Sequence, residues 1–533
     1  MLGIKFDNLR GDLFGGLTAG VVALPLALAF GEASGAGPIA GLYGAIIVGF
    51  FAALFGGTGS QISGPTGPMI VVFAGVFGAL SGNPGLVFAT VVLAGVIQVA
   101  FGIFKLGQYI KLVPYPVVSG FMTGIGCIII ALQASRLFGH EPEGSGTIPA
   151  LTAIPGAVLD PNWVALGLGL LTLIIVFTWP AKMAKIVPPP LAALVIGTLL
   201  STIIAGAPLL GDIPTGLPSF IIPEFRADTI VIVFEAAFVL ALLGSLDSLL
   251  TSLVADNMTR TKHNSNQELI GQGIGNVFAG FFGGIPGAGA TMRTVVNIRT
   301  GGLTKISGMI HSALLFAVVV SLGPLAAQIP HAVLAGILVK VGYDIVDLAY
   351  LKRAHKGPRW DLLLMVLVLT LTVFVDLITA VIAGVVLASL AFVKQMADLQ
   401  LESIKNLEEG IDQLVPSEEE EILKDVADSV TLFDFNGPLS FGAAADLGHH
   451  VRLKAKGSSA LVIDFLQVPF LDVSAARAVA TICQDATEAK KRVFISGMNS
   501  KVKQVLIALQ EDSVLPEMFY ENRKDALEAT RKF

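Results

Sequence analysis

Two stretches of this sequence place Gly, Pro and Thr together inside long apolar runs. They are "SGPTGPM" at Ser63 to Met69 and "PGAGATM" at Pro286 to Met292. Gly and Pro break helices, and hydrocarbon penalises every unpaired backbone group, so each break must serve a purpose. A helix that starts at such a break turns its free N–H groups and the positive end of its dipole toward one spot. Two such ends facing each other make an anion site without a full positive charge. Thr66 and Thr291 add hydroxyls, while Gly64, Gly67, Gly287 and Gly289 permit close backbone approach. A single break would read as a packing kink; two at matching positions favour a binding site.

An acid belongs to the same chemistry. The run "TIVIVFEAAFVLALLGSLDSLLTSLVAD" carries Asp247 well inside it, with Thr251 one turn later on the same helix face. A carboxylate in hydrocarbon needs a cation or a proton. Na⁺ takes hard oxygens, and Asp247, Thr251, Thr291 and the Gly289 carbonyl would supply them. A proton is the competing partner, and a structural pair with Arg293 is the third reading. Arg293, one turn past the second break, would offset an anion's charge or else snorkel to water. Glu235 lies nearer the outer end and reaches the interface. Gln98, Gln272, Asn276 and Asn297 are expected to tie helices together by hydrogen bonds.

Composition places these residues in a membrane. Of 533 residues, 54% are hydrophobic and 14% charged, where soluble domains carry about one quarter charged residues; mean hydropathy is +0.77. Apolar runs long enough to cross a bilayer follow one another from Asp12 to Phe392. The spans read near 12–31, 38–56, 66–80, 85–104, 113–135, 162–179 and 189–206, then 229–255, 268–283, 290–298, 303–321, 331–345, 361–375 and 377–393. The third member of each set of seven follows a break and is too short to cross. With the N-terminus inside, the even connections carry Lys105, Lys111, Lys182, Lys185, Arg260, Lys262, Arg299, Lys305, Lys352, Arg353, Lys356 and Arg359, and the odd ones only Arg136 and Arg226. That asymmetry predicts fourteen spans with both termini cytoplasmic. An odd-numbered half, repeated, is inserted upside down, giving a 7+7 inverted repeat.

Enzymatic chemistry is not expected. The sequence offers no evident nucleophile paired with a base, no metal cluster and no phosphate loop. His311 reads as a lone packed imidazole and His449-His450 as solvated. Cys127 and Cys483 form no disulfide framework or metal-ligand spacing, and Cys127 is expected to be a small packed residue. No removable signal peptide and no nucleic-acid partner are expected.

These motifs, in order, carry a resemblance. "RGDLFGGLTAGVVALPLALAF", "GPTGPM", the acid of the eighth span and "NVFAGFFGGIPGAGATMRTVVNIRTGG" resemble the SulP (sulfate permease) anion-transporter family over nearly the whole chain. The resemblance implies a uracil-permease-like fold. Residues 1–395 would form a transport domain, with a core of spans 1–4 and 8–11 moving against a gate of spans 5–7 and 12–14. Within the family, Asp247 with Thr251, and Gly289-Ala290-Thr291, are similar to the BicA-type bicarbonate transporters of cyanobacteria, which are Na⁺-coupled. By that resemblance Asp247, Thr251, Gly289 and Thr291 hold Na⁺ as the coupling ion, and Thr66, with Gly67 and the backbone around Ala290, holds the anion. Gly64 departs from the resemblance, which implies an acid there. Proton-coupled uptake of sulfate or a dicarboxylate, anion exchange and an anion channel are the competing functions.

Beyond Ala397 the chain turns hydrophilic. Residues 396–428 read as an acidic linker with a helical portion. Strands at "SVTLFDF", "ALVIDFLQV" and "RVFISGM" alternate with helices at "SAARAVATICQDATEAKK" and "SKVKQVLIALQED", a small α/β domain over 429–533. It resembles the STAS domain shared with anti-sigma-factor antagonists, in which a Ser two residues after an Asp is phosphorylated. Asp472-Val473-Ser474 matches that spacing, and helix capping explains both residues without a kinase. Homodimerisation, folding or regulation is the role expected of this domain.

Overall fold

The computed structural model describes residues 6–532 apart from 81–82, 111–113, 142–146, 185–186, 211–217, 376, 403–404, 407–416, 427–428, 456 and 509–513. Lys111, Lys185, much of the linker and the end of "SKVKQVLIALQED" lie outside the described residues. The chain divides into two compact units, Met1–Val385 and Val386–Phe533.

In the first unit every apolar stretch carries a helix. The elements are α1 (Leu9–Ala33), α2 (Pro38–Phe55), β1 (Ser63–Gly64), α3 (Gly67–Ala79), α4 (Pro84–Ile103), α5 (Gly107–Ile110), α6 (Tyr115–Leu137), α7 (Thr147–Leu159), α8 (Trp163–Thr178), α9 (Ala181–Ala184) and α10 (Pro189–Ile203). Then come α11 (Ile230–Thr259), α12 (Ser265–Phe281), β2 (Ala288–Gly289), α13 (Thr291–Arg299), α14 (Lys305–Ala326), α15 (His331–Ile345), α16 (Leu348–Leu351), α17 (Arg359–Phe374) and the start of α18 (Leu377–Glu402), which continues into the second unit. Among the described residues, α1, α2, α4, α6, α11 and part of α18 are each long and apolar enough to cross a bilayer; α7 and α8 together pass the same test as a pair bent by 114°. The protein is a multi-pass membrane protein. Helix α7 was not expected; "TIPALTAIPGAVL" contains Pro149 and Pro155, yet it is apolar enough to form a short helix bent off α8. Cys127 is exposed on α6 rather than packed.

Glycine decides how closely these helices approach. Gly41 on α2 sits so near α1 that a Cβ there would lie 1.9 Å from the Ala27 carbonyl oxygen. Gly95 on α4 and Gly273 on α12 each face the other's carbonyl, with 2.5 Å for an added Cβ. Small residues at such crossings let backbones touch and bring van der Waals packing where lipid offers no hydrophobic drive. Gly41→Val is therefore expected to abolish recovery of folded protein in detergent, read by size-exclusion chromatography. A monodisperse wild-type-like peak would contradict this packing.

The second unit holds β3 (Lys405–Asn406), α19 (Ser417–Val426), β4 (Val430–Asn436), α20 (Phe441–Lys454), β5 (Ala460–Gln467), α21 (Val473–Glu488), β6 (Arg492–Ser496), α22 (Ser500–Ala508) and α23 (Arg523–Thr530). The sheet order is β3-β4-β5-β6, with β4, β5 and β6 parallel and β3 antiparallel to β4. Phe433, Phe435, Phe465, Val479 and Ile495 fill the core on one face. Helices α20 and α23 were not anticipated. Burial pushes the Cys483 thiol up to about 12, so it is inert. Asp472 is the N-cap of α21: its carboxylate accepts the Ala475 N–H at 2.8 Å and the Phe441 N–H at 2.7 Å. Ser474 is exposed in the first turn. Asp472→Ala should weaken this helix end by about 1 kcal/mol. Hydrogen exchange at the Ala475 amide should then accelerate by about fivefold; unchanged exchange would contradict the cap.

Candidate functional site

The two breaks meet. Residues Ser63–Gly64 pair antiparallel with Ala288–Gly289, in register Ser63 to Gly289 and Gly64 to Ala288. Because the paired strands run in opposite directions, α3 and α13 leave the pairing in opposite directions, each starting within three residues of it. Helix α3 has 13 residues and α13 has 9, about 20 and 14 Å long, both short of the roughly 30 Å of hydrocarbon. The first-turn N–H groups of Gly67 and Met69, and those of Thr291, Met292 and Arg293, have no intrahelical acceptor. The Ala290 N–H is not among the free donors. It donates to the Ile62 carbonyl at 2.8 Å, so Ala290 enters the site through its position and not through its amide.

A buried polar scaffold holds the pairing in place. Asn276 on α12 grips Gly287 on both sides, donating to its carbonyl at 2.9 Å and accepting its N–H at 2.8 Å, and also donates to Gln98 at 2.7 Å. Asn297 donates to the Ser60 carbonyl and to Ser307, and Gln272 donates to Ser63 at 2.6 Å. Asn276 with Gln98 ties α12 to α4 and Asn297 with Ser307 ties α13 to α14, as expected of these amides, while Gln272 and Asn276 also hold the breaks. Glu268 does more, and sequence reasoning missed it. It is 1% exposed. Its carboxylate accepts the Gly57 and Thr58 N–H groups at 2.9 Å each, Gln61 at 2.9 Å and Gln272 at 2.8 Å. Ser252 donates onward to Gln61 at 2.9 Å. The spacing Ser248, Thr251, Ser252 on α11 was the available signal for this polar face.

Helix α11 packs against both α3 and α13. Ser248 accepts the Gly289 N–H at 2.9 Å, and Thr251 donates to the Gly289 carbonyl at 3.1 Å. The Thr251 and Thr291 hydroxyls are 2.7 Å apart. Three of the four expected cation ligands therefore converge. Asp247 lies one turn before Thr251; its buried Oδ2 sits near the Thr66 hydroxyl without a well-formed hydrogen bond to it. A carboxylate so loosely satisfied in a low-dielectric place fits a cation that supplies what the protein does not. Asp247, Pro68 and Leu246 border a cavity of about 30 Å³ against Val117 and Phe121 of α6.

Arg293 does not snorkel. It is 3% exposed and donates through Nη2 to the Pro65 carbonyl, so its guanidinium braces the first break from the second. It lies within electrostatic reach of Asp247 without forming an ion pair among the described residues. Gly64 has φ +149°, and a Cβ there would sit 2.8 Å from Arg293 Nη1. The arginine thus occupies the space that an acid at this position would use. Gly67 is equally confined, with Ile129 and Ile345 methyls 2.7–2.9 Å from an added Cβ. His311 is fully buried with both ring nitrogens unpartnered.

A charge-relay order also forms at the far end of α11, where none was expected. His263 Nδ1 lies 2.7 Å from Asp256 Oδ2 and its Nε2 lies 2.9 Å from Ser265 Oγ. None of the cavities described here adjoins it. It clamps the turn between α11 and α12, where Arg260 takes φ +57°.

Residues 9–368 match the sulfate permease family and residues 421–526 match the STAS domain. The chain belongs to the sulfate permease family. The bicarbonate transporter BicA of a Synechocystis strain is 45% identical over 534 residues, covering 98% of this chain and 94% of the relative. The solved transmembrane domain of a cyanobacterial BicA is 51% identical, with a TM-score of 0.68, covering 71% of this chain and 98% of that one. The murine solute carrier 26 family member A9 has the same fold over 99% of this chain and 92% of its own, with a TM-score of 0.84 at 19% identity. The family member described here is accordingly an anion transporter and not an enzyme, with a helical membrane unit and a STAS domain.

Proposed function

We propose that this family member takes up bicarbonate together with Na⁺ by an elevator-like movement. The observation that carries the reading is the pairing of the two breaks, from which α3 and α13 start, against α11, the helix that carries the buried Asp247 Oδ2. Relatives named as bicarbonate transporters over nearly full length support the cargo. In this reading Asp247, Thr251, Thr291 and the Gly289 carbonyl hold Na⁺, while Thr66, Gly67 and the first-turn amides of α3 and α13 hold the anion. The Arg293 guanidinium adds positive potential from behind.

Coupling follows from charge. Without a cation, the Asp247 carboxylate repels an anion at the helix ends. With Na⁺ bound, that repulsion is cancelled. At about 5 Å and an effective dielectric near 20, the difference is about 3 kcal/mol, or roughly a hundredfold in anion affinity. Linkage makes the effect reciprocal.

The membrane unit is read as fourteen spans in a 7+7 inverted repeat, with both termini cytoplasmic in the plasma membrane. Packing supports a core and a gate: α1, α2, α4, α12 and α14 pack mainly among themselves, while α6 packs with α15 and α17 and α8 with α15 and α10. Residues 1–395 carry transport, 396–428 link, and 429–533 serve homodimerisation or regulation. Uptake of labelled bicarbonate into proteoliposomes, under an inward Na⁺ gradient or a proton gradient alone, tests the proposal. Sodium-driven bicarbonate uptake is expected; sulfate uptake driven by protons and indifferent to sodium would overturn it.

A further inference from the structure

Away from the site, three ligand-type side chains from separate parts of the chain converge. They are Glu32 in the last turn of α1, His331 at the first turn of α15, and Glu141 beyond α6, with one ligand atom of each within 4.8 Å of the others. His331 Nε2 lies 3.1 Å from the Leu209 carbonyl oxygen. A carbonyl only accepts, so Nε2 carries the hydrogen. Nδ1 then points toward the carboxylates, 3.1 Å from Glu32 Oε1 and 3.8 Å from Glu141 Oε1. It is buried and close enough to Glu32 to pair with it when the imidazole carries a second proton. Without that proton three electron-rich atoms meet, and a metal ion would take the proton's place between them. Among the described residues no Lys or Arg forms an ion pair with Glu32 or Glu141; Arg136 acts on the cluster only from a distance.

We propose that Glu32, His331 and Glu141 bind a divalent transition-metal ion of the Zn²⁺ class. Tetrahedral ligands at about 2.0–2.2 Å from zinc lie about 3.4 Å from each other, and the observed separations of 3.1 and 3.8 Å bracket that value. One imidazole and two carboxylates suit this class of ion. The Nε2–H to Leu209 contact is the outer-shell bond that fixes a ligating histidine's tautomer. The backbone there is pinned as well: the His331 N–H donates to the Pro208 carbonyl at 3.1 Å, and the Leu210 N–H to Ile329 at 3.0 Å. Glu141 is 64% exposed and opens the site to solvent. The ion staples α1 to α15. That this staple lies on the outer face and holds the core against the gate rests on the reading proposed above; the binding itself does not.

The test uses the purified full-length protein in detergent, titrated with Co²⁺ and followed by its visible ligand-field absorption, then with Zn²⁺ by calorimetry. One equivalent of Co²⁺ is expected to bind and be displaced by Zn²⁺. His331→Ala and Glu32→Gln should each weaken binding by at least about tenfold, while His449→Ala leaves it unchanged. Matching melting temperatures without metal would show that both variants fold. Absence of Co²⁺ binding in the wild type, or equal binding in both variants, which marks an adventitious ion only, would overturn the proposal. Neither result bears on sodium-dependent uptake, so the two proposals fail separately.

Discussion

Asp247→Asn should abolish sodium-dependent uptake while leaving the protein folded. The amide is nearly the same size and keeps one oxygen, so the packing around Pro68, Leu246 and Phe121 is retained. What disappears is the negative charge that makes a cation worth binding in a low-dielectric place. That charge contributes about 3 kcal/mol of coupling, so loss of sodium dependence should be complete within assay range. Asp247→Glu keeps the charge one methylene further out and should retain part of the activity. Thr251→Val, which removes the hydroxyl that reaches the Gly289 carbonyl and Thr291, should raise the Na⁺ concentration needed for half-maximal uptake. Sodium-stimulated uptake of wild-type size in Asp247→Asn, with normal folding shown by thermal melting, would remove Asp247 from the mechanism.

Glu268→Leu should be the most destabilising single change among the polar residues around the breaks. The substitution strands the Gly57 and Thr58 N–H groups and the side-chain amides of Gln61 and Gln272 in a place closed to water. Breaking such a network costs about 3–5 kcal/mol. The loop from Gly56 to Ile62 leads directly into β1, so the damage propagates to the pairing of the two breaks. Glu268→Gln keeps an oxygen and should lose much less. Fluorescence-detected thermal melting in detergent checks both; equal melting of the leucine variant and wild type would show that the loop does not depend on this carboxylate.

The apolar stretches and both breaks were legible because each is a local signal. A run of apolar residues, or a Gly/Pro cluster inside one, is read without knowing what it touches, and the helices begin and end close to where those runs do. Asp247 and Thr251 were legible for the same reason: a helix places residues four apart on one face. Glu268, Gln61 and Asn276 were legible only as polar residues, because their partners lie in other elements. The Glu268 contacts to the Gly57–Gln61 loop cross more than 200 positions in the chain. The direction of Arg293 was undecidable from its position alone; the Pro65 carbonyl and the space over Gly64 settle it. The Asp256–His263–Ser265 order depends on a turn with a left-handed Arg260, which spacing does not reveal. Helix α7 is too short to register as a span, and its two prolines argue against a helix.

A cation held at Asp247 licenses an anion at the ends of α3 and α13. The most direct measurement is reciprocal binding to the purified protein, without transport. The affinity for bicarbonate is determined with and without Na⁺, and the affinity for Na⁺ with and without bicarbonate. The same enhancement is expected in both directions, on the order of a hundredfold, and none in Asp247→Asn. Bicarbonate binding of equal strength with and without Na⁺ in the wild type would contradict it.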